Sequence, residues 1–514
     1  MNVGRAVGTL VAAVAVVVFG VEPVSAQTME FGEEEAEETM TFGEEEGDGG
    51  AEEGGGQQKT SKQATAFIKE GKKLYKQKKY DQASLIFYRI MNQGGMQAAV
   101  PEARYELGKT LYRMNLYQGA LSQFGKIVET GESHPYYMPA LRGLLSLSEV
   151  IPADPSLRKH LSKYADRFPQ QVPEKYRDRY AYLTGRYFYD QLNIQQSVRM
   201  MEFVSQRSKF YAQSRYILGI THVANYAAKP AVSAFKDTLR YLVSTKESGD
   251  LDEEQNKLME LTRLAMARVF YSTGDYETSL KYYDKIDRDS PRWPQALFEK
   301  SWAFFQLDRY NKALGNLHSL NSPFFADSYF PEGPILAATV YFYNCKYDRA
   351  KNELDEFEFV YEPLKGKMQS VLDTNGDPTS MFDWYQEMKK GNLQFSPDVY
   401  RIVEAAIDDK EVQAKFELVS LIDDEVEKIE SMPKSWKSSP LGESLAQEAS
   451  LARTFAVDDA GSTARQRLQR RVRKLTDLIN QKKKILFEVA RAEKQNIEAD
   501  IRAEMNVSGN KTEA

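Results

Sequence analysis

Cysteine is nearly missing from this 514-residue chain, and Cys345 is the only one. A single thiol excludes an intramolecular disulfide framework and any zinc site built from several cysteines. Histidine is almost as scarce. His134, His160, His222 and His318 are scattered along the sequence, with none of the spacings of a metal site. After the first two dozen residues no long apolar run occurs, so the chain is expected to make no stable membrane insertion once that segment is removed. Residues 27–58 lack basic side chains altogether while carrying twelve acidic ones. Against a whole-chain charge of −6, and with Arg5 and Glu22 cancelling, these twelve leave 59–514 at +6. An acidic tail therefore sits on a mildly basic body.

The N-terminus has the layout of an export signal. Arg5 supplies the charge, Ala6 to Val21 the apolar run, and Val24-Ser25-Ala26 a small-residue cleavage site. The run is short for a spanning helix, which favours a cleaved signal over residues 1–26 rather than a retained anchor. No Cys follows it, so a lipid anchor at this site is not expected. Together with the single Cys, this points to a periplasmic location.

Residues 27–60 are Glu- and Gly-rich and cannot bury enough apolar surface to fold. Within them Thr28-Met29-Glu30-Phe31-Gly32-Glu33-Glu34-Glu35 is echoed by Thr39-Met40-Thr41-Phe42-Gly43-Glu44-Glu45-Glu46. The segment reads either as a solvating spacer or as two Phe-anchored acidic peptides suited to a basic groove. The second reading predicts that 28–46 binds the protein's own groove or a neighbour's.

From 61 to 357 a helical pattern recurs about eight times. A small residue is followed by an apolar or aromatic residue at +3, often Tyr at +9, Ala or Ser at +12 and a bulky residue at +16. Gly71, Leu74, Tyr80, Ala83 and Phe87 make the first copy; Gly108, Leu111, Tyr117, Ala120 and Phe124 make the second. Later copies start at Gly185, Gly219, Ala267, Ser301 and Ala338, with a degenerate one at Gly143. Spacings of 34 recur, from Gly185 to Gly219 and from Ala267 to Ser301. The pattern resembles the tetratricopeptide repeat family over about 300 residues. It departs from that family at 143–184, which lacks the +12 Ala, and at 245–257, where an insertion opens. The implied fold is all-α: a superhelical helix-turn-helix solenoid over 61–357, followed by a helical C-terminal region over 358–514.

In that region 358–396 reads as a connector with a short helix. Val412, Phe416, Val419, Ile422, Val426 and Ile429 then form a stripe at alternating three and four. A charged helix from about Ala464 to Ala503 carries Leu468, Leu475, Leu478, Ile485 and Val489, with Lys482 interrupting its seam. Its basic clusters, Arg465–Lys474 and Lys482–Lys484, read as a solvated helix face, and export argues against nucleic acid.

The fragments that imitate chemistry fail on spacing. Gly108-Lys109-Thr110 lacks the earlier Gly of a phosphate loop and falls within a repeat helix. Asp373-Thr374-Asn375-Gly376-Asp377 starts like a calcium loop, but Pro378 replaces its Gly and Trp384 its Glu, which leaves a turn. His222 stands at a core offset. No nucleophile, acid-base or cofactor constellation emerges, so the chain reads as a non-enzyme with no cofactor and no metal.

The resemblance implies that the first helices line a concave face, with offsets −3, +1, +4 and +5 pointing into it. Those offsets give Lys72, Tyr75 and Lys76, then Tyr105, Lys109, Tyr112 and Arg113. They also give Tyr182, Arg186 and Tyr189, then Arg268 and Tyr271, then Phe298, Trp302 and Phe305. Asp190 is the acid that intrudes. Cations among rings suit an extended acidic or aromatic peptide; packing of the Tyr residues between units is the equal alternative. An exported repeat array with an acidic Phe-Gly-Glu tail also looks like the periplasmic repeat proteins of the myxobacterial gliding-motility apparatus. That resemblance implies a scaffold that assembles an envelope-spanning complex from protein partners in the cell envelope. An adaptor for outer-membrane or cell-wall assembly is the alternative, and an enzyme with its site in the C-terminal region the remote one.

Overall fold

The computed structural model describes residues 62–509, apart from 152–153, 164, 170–171, 173, 326–328, 393–399, 401–402 and 405–409. The expected signal at 1–26 and the acidic tail at 27–60 lie outside the described residues. Among the described residues the fold is all-α, with short 3-10 turns and no strand. Its contacts divide it into two compact units.

Among the described residues the N-terminal unit comprises 62–225 together with 413–459. It holds four helix hairpins: α1 (Lys62–Lys76) with α2 (Tyr80–Asn92), α3 (Val100–Arg113) with α4 (Tyr117–Thr130), α5 (Tyr137–Val150) with α6 (Pro155–Ser162), and α7 (Glu174–Asp190) with α8 (Ile194–Phe203). Helix α9 (Tyr211–Ala224) packs next on α8. The degenerate copy at Gly143 is a hairpin whose second helix is shortened to eight residues. There Asp154 accepts from the Ser156 and Leu157 backbone N–H groups and Pro155 occupies the first turn, which starts α6 without the usual Tyr.

The C-terminal unit comprises 226–412 and 460 onward. It opens with α10 (Ala228–Ser248) and continues with three hairpins. These are α11 (Glu253–Ser272) with α12 (Tyr276–Tyr283), α13 (Trp293–Gln306) with α14 (Tyr310–Leu320), and α15 (Glu332–Tyr343) with α16 (Tyr347–Thr374). The insertion at 245–257 lengthens helices instead of adding a free loop. Gly249, at φ +85°, ends α10 in the left-handed region, and Asp252 with Gln255 forms a capping box that starts α11.

The first two hairpins are built on the small residue. A methyl group on Gly108 would meet the Phe124 ring at 2.7 Å, and one on Gly71 would meet Phe87 at 2.5 Å. The bulky +16 side chain therefore lies directly on the bare backbone at offset 0. A second feature, at +7, escapes the sequence pattern. Lys78, Asn115, Leu192, Tyr226, Gly274, Asp308 and Cys345 all have φ between +55° and +81°. They lie seven residues after Gly71, Gly108, Gly185, Gly219, Ala267, Ser301 and Ala338. The N–H at +8 then donates back to the carbonyl at +3, as in Lys79 to Leu74 (3.0 Å), Leu116 to Leu111 (2.9 Å) and Arg309 to Phe304 (2.9 Å). This closes those first helices with a left-handed Schellman-type turn, whereas α5 ends at Ile151 with φ −123°.

The C-terminal sequence departs from the expected connector. Helix α16 runs unbroken past position 358 to Thr374, with Pro363 inside it, and α17 (Pro378–Lys389) follows. An interior proline costs about 3 kcal/mol. Burial of Leu354, Phe357, Leu364, Met368 and Val371 at helical spacing outweighs that cost.

Helix α18 (Lys410–Ser431) carries the expected stripe, with Val412, Phe416, Val419, Ile422 and Ile429 buried and Val426 half-buried. A single turn, α19 (Lys434–Lys437), leads into α20 (Pro440–Gly509), a 70-residue helix that starts well before the expected Ala464. In the N-terminal unit, 413–459 fold back onto the second helices of the first two hairpins. The Trp436 indole Nε1 donates to Ser84 Oγ at 3.0 Å, and Leu445 covers Gly119. In the C-terminal unit α20 lies along α15 and α16, with Leu468, Leu475, Leu478, Ile485 and Val489 all buried. Lys482 does not interrupt that seam. It is 4% exposed and pairs with Glu358.

Candidate functional site

The first-helix residues picked out by offset separate into a half-exposed cluster and a buried set. The cluster belongs to α1 and α3. Lys109 Nζ stands over the Tyr75 ring at 5.1 Å and the Tyr105 ring at 5.4 Å, while Arg113 Nε donates to Tyr75 OH at 3.4 Å. Tyr105 stacks on Tyr136 with centroids 5.2 Å apart, and Tyr112 and Lys76 complete the strip, Lys76 being exposed. Helix periodicity places these side chains together, because +1, +4 and +5 share one face and successive first helices lie side by side.

The electrostatics differ from those of a purely basic groove. Lys72 Nζ is 2.6 Å from Glu102 and 3.8 Å from Glu106, and Lys109 Nζ is 3.1 Å from Glu106. Glu106 is nearly buried, so its charge is compensated by the two ammonium groups rather than by water. The Lys72 ammonium pKa is raised: burial works against the charge, and the hydrogen bond it donates to Glu102, with the field of Glu106, prevails. The Tyr75 phenol is pushed up by burial, against the pull of Arg113. These acids occupy offsets −6 and −2, outside the offsets used to select the strip. Offset −2 recurs in the C-terminal unit. There Arg268 makes a bidentate pair with Glu299 at 2.9 and 2.6 Å, and Tyr283 OH donates to the same carboxylate at 3.0 Å.

The other selected residues, apart from the half-exposed Arg268, fill the interior. Tyr182 stacks on Phe210 at 5.1 Å, and Arg186 and Tyr189 are buried with it. Burial raises the Tyr189 phenol. Tyr271 is buried and accepts a hydrogen bond from Gln306 Nε2 at 3.4 Å. Phe298 stacks on Phe330 at 5.2 Å, Phe305 is buried, and Trp302 is fully buried. A ring pair recurs in both sets. The +4 ring sits edge-on or tilted against the +9 Tyr of the same hairpin in Tyr75–Tyr80 (5.3 Å), Tyr112–Tyr117 (5.7 Å), Tyr271–Tyr276 (5.2 Å), Phe305–Tyr310 (5.8 Å) and Phe342–Tyr347 (5.9 Å). These pairs bracket the left-handed +7 turn. The Tyr at +9 is thus a packing residue of the turn, and the +4 ring is its partner.

The motif fragments fall where helix geometry puts them. Gly108-Lys109-Thr110 is inside α3, with Thr110 Oγ1 donating to the Glu106 carbonyl at 2.7 Å. Asp377 caps α17 by accepting from Ser380 N–H at 3.0 Å, and Asn375 Nδ2 donates to the Val371 carbonyl at 2.9 Å. His222 is half-buried on α9, and burial lowers its imidazole pKa. Among the described residues no group of three or more His, Cys, Asp or Glu is placed to hold a metal ion, and no helix is long and apolar enough to cross a membrane.

No protein-family profile and no curated sequence matches the chain. Among solved structures it is similar to the apo form of RapI, at 12% identity and a TM-score of 0.33, over 77% of this chain and 97% of that one. A tetratricopeptide repeat protein from Parabacteroides merdae aligns at 12% identity and 0.25, over 57% of this chain and 92% of its own. A Rap protein complexed with Competence and Sporulation Factor aligns at 10% identity and 0.28, over 77% and 100%. These TM-scores lie below 0.5, and the repeat architecture rests on this chain's own hairpins, its +7 turns and its +4/+9 ring pairs.

Proposed function

We propose that the protein is a non-catalytic periplasmic scaffold that binds segments of protein partners on its first helices and helps assemble an envelope-spanning complex. The observation that carries this reading is the half-exposed strip of Lys72, Tyr75, Lys76, Lys109, Tyr112 and Arg113. Glu102, Glu106 and the Tyr rings hold its cations in place before any partner arrives. Cations fixed over rings lose little freedom on binding an acidic or aromatic segment, which is the advantage of preorganisation. The partner's acids would share Lys72 and Lys109 with Glu106 and find Arg113 and Lys76 at the edge. The export-type N-terminus supports a location in the cell envelope, and the architectural resemblance makes a gliding-motility complex the first assembly to examine.

The test is a pull-down from crosslinked envelopes with the wild-type chain and with Lys76→Glu combined with Arg113→Glu. Defined envelope proteins should be recovered by the wild type and lost with the variant. Recovery unchanged by the double reversal, or turnover of envelope substrates by the purified protein alone, would contradict the reading.

A further inference from the structure

Helix α20 is held to the C-terminal unit by one side. Leu475, Leu478, Ile485 and Val489 are buried there, and Lys474, Lys482 and Glu493 pair inward with Glu332, Glu358 and Lys351. At 3.6 residues per turn, Arg473, Lys484, Phe487, Arg491 and Lys494 lie on the opposite face, and all are exposed. Lys483 flanks them and Asp477 is the one acid within the strip. Phe487 is 67% exposed, a large apolar ring in the middle of a cationic face. Arg473, Lys483 and Lys484 have no ion-pair partner within 4 Å among the described residues. Arg491 and Lys494 meet their helix neighbours Glu488 and Glu498 at a loose 3.8 Å. The contrast with the first-helix strip is chemical. There Lys72 and Lys109 meet the chain's own acids at 2.6 and 3.1 Å, whereas on α20 the exposed cations line one face on either side of Phe487 and, among the described residues, only Arg491 and Lys494 meet an acid, at 3.8 Å.

The complementary chemistry is in the same chain. Residues 27–58 hold twelve acids and no base, and Phe31 and Phe42 each stand in a Phe-Gly-Glu-Glu-Glu unit. We propose that the outward face of α20, from Arg473 to Lys494, is a docking surface for the acidic segment 28–46 of this chain. A segment Phe packs on Phe487, and the Glu run that follows it meets Lys484 and Arg491 in salt-screened ion pairs. The duplication gives the segment two equivalent anchors for one surface, so one unit can rebind as the other leaves. This assignment stands independently of the partner-binding strip on α1 and α3.

The test places the photoreactive residue p-benzoylphenylalanine at position 31, or at 42, in the full chain, and maps the crosslinks by proteolysis and mass spectrometry. Adducts are expected within 473–494. Their yield should fall on the order of tenfold with Lys484→Glu plus Arg491→Glu, and also when salt rises from about 0.05 to about 0.5 M. Phe487→Ala should lower it as well. All three side chains are exposed, so circular dichroism should stay unchanged; if it changes, Arg473→Glu plus Lys494→Glu makes the same test. Adducts mapping to α1 and α3, or a yield indifferent to both charge reversals, would overturn the proposal. So would binding to phosphatidylserine vesicles through Lys484 and Arg491 with no adduct in 473–494, because the face would then belong to a lipid surface.

Discussion

Glu425 offers a test of how the C-terminal segment is fastened to the repeats of its own unit. Its carboxylate is 3% exposed and sits at the N-terminus of α4. It accepts from Gln118 N–H at 2.9 and 3.2 Å and from Gly119 N–H at 3.4 Å. Leu116, the capping residue of α4, contributes no side-chain cap, so Glu425 on α18 supplies one from a distant part of the sequence. Two effects oppose each other. The backbone N–H groups favour the charged form, while burial disfavours it, and burial wins: the carboxyl pKa is raised from 4.5 to about 7.

An acid whose pKa is higher in the folded than in the unfolded chain binds protons more tightly when folded. Its contribution to stability is therefore greatest below pH 4.5 and is lost as pH rises through 7. A shift of that size corresponds to about 3 kcal/mol. Glu425→Gln keeps an oxygen for the two N–H groups and removes the ionisation. Urea unfolding of the wild type and the variant from pH 5 to pH 8 should show the variant gaining on the wild type by about 3 kcal/mol across that range. A difference that stays flat with pH, or that favours the wild type at pH 8, would refute the reasoning and show that the helix N-terminus outweighs burial.

Gly108→Ala should destabilise the fold by about 2 kcal/mol in denaturant unfolding, because overpacking against Phe124 exceeds the gain of about 1 kcal/mol in helix propensity. Leu192→Gly should stabilise by about 0.5–1 kcal/mol, since Leu192 is 63% exposed and sits at φ +56°, where relief of left-handed strain outweighs the little burial that is lost. The buried Lys482 should make an asymmetric pair with Glu358. Lys482→Met should be close to neutral in thermal unfolding, whereas Glu358→Ala, which leaves the buried ammonium without its carboxylate, should cost on the order of 2 kcal/mol.

The repeat was legible because close packing writes itself into sequence. Gly71 and Gly108 must be bare where Phe87 and Phe124 lie on them, and the interval of sixteen between those partners is fixed by hairpin geometry. The +7 turn was not legible, because Lys, Asn, Leu, Tyr, Asp and Cys all occupy a position that backbone geometry alone defines, and only glycine there would have announced it. The site was read partly. Offsets brought Lys72, Tyr75, Tyr105, Lys109 and Arg113 together, but an offset says which way a side chain starts, not what covers it. Trp302 and Phe305 share those offsets and are buried by the next hairpin and by their own turn rings. Glu106 and Glu299 sit at −2, outside those offsets, yet they neutralise Lys109 and Arg268. In α20, Lys482 looked like a break in an apolar seam. Its partner, Glu358, is 124 residues away in sequence, and such a pairing leaves no local mark.

The central claim is that the first-helix strip of α1 and α3 holds a protein segment, and a photocrosslinker at position 112 tests it most directly. With the full chain in its own cells, p-benzoylphenylalanine in place of Tyr112 should give adducts with one or a few defined proteins, and Arg113→Glu should abolish them. The same probe at Asn92, exposed on α2, should not capture them. Adducts that are identical at both positions, or that persist with Arg113→Glu, would contradict the account.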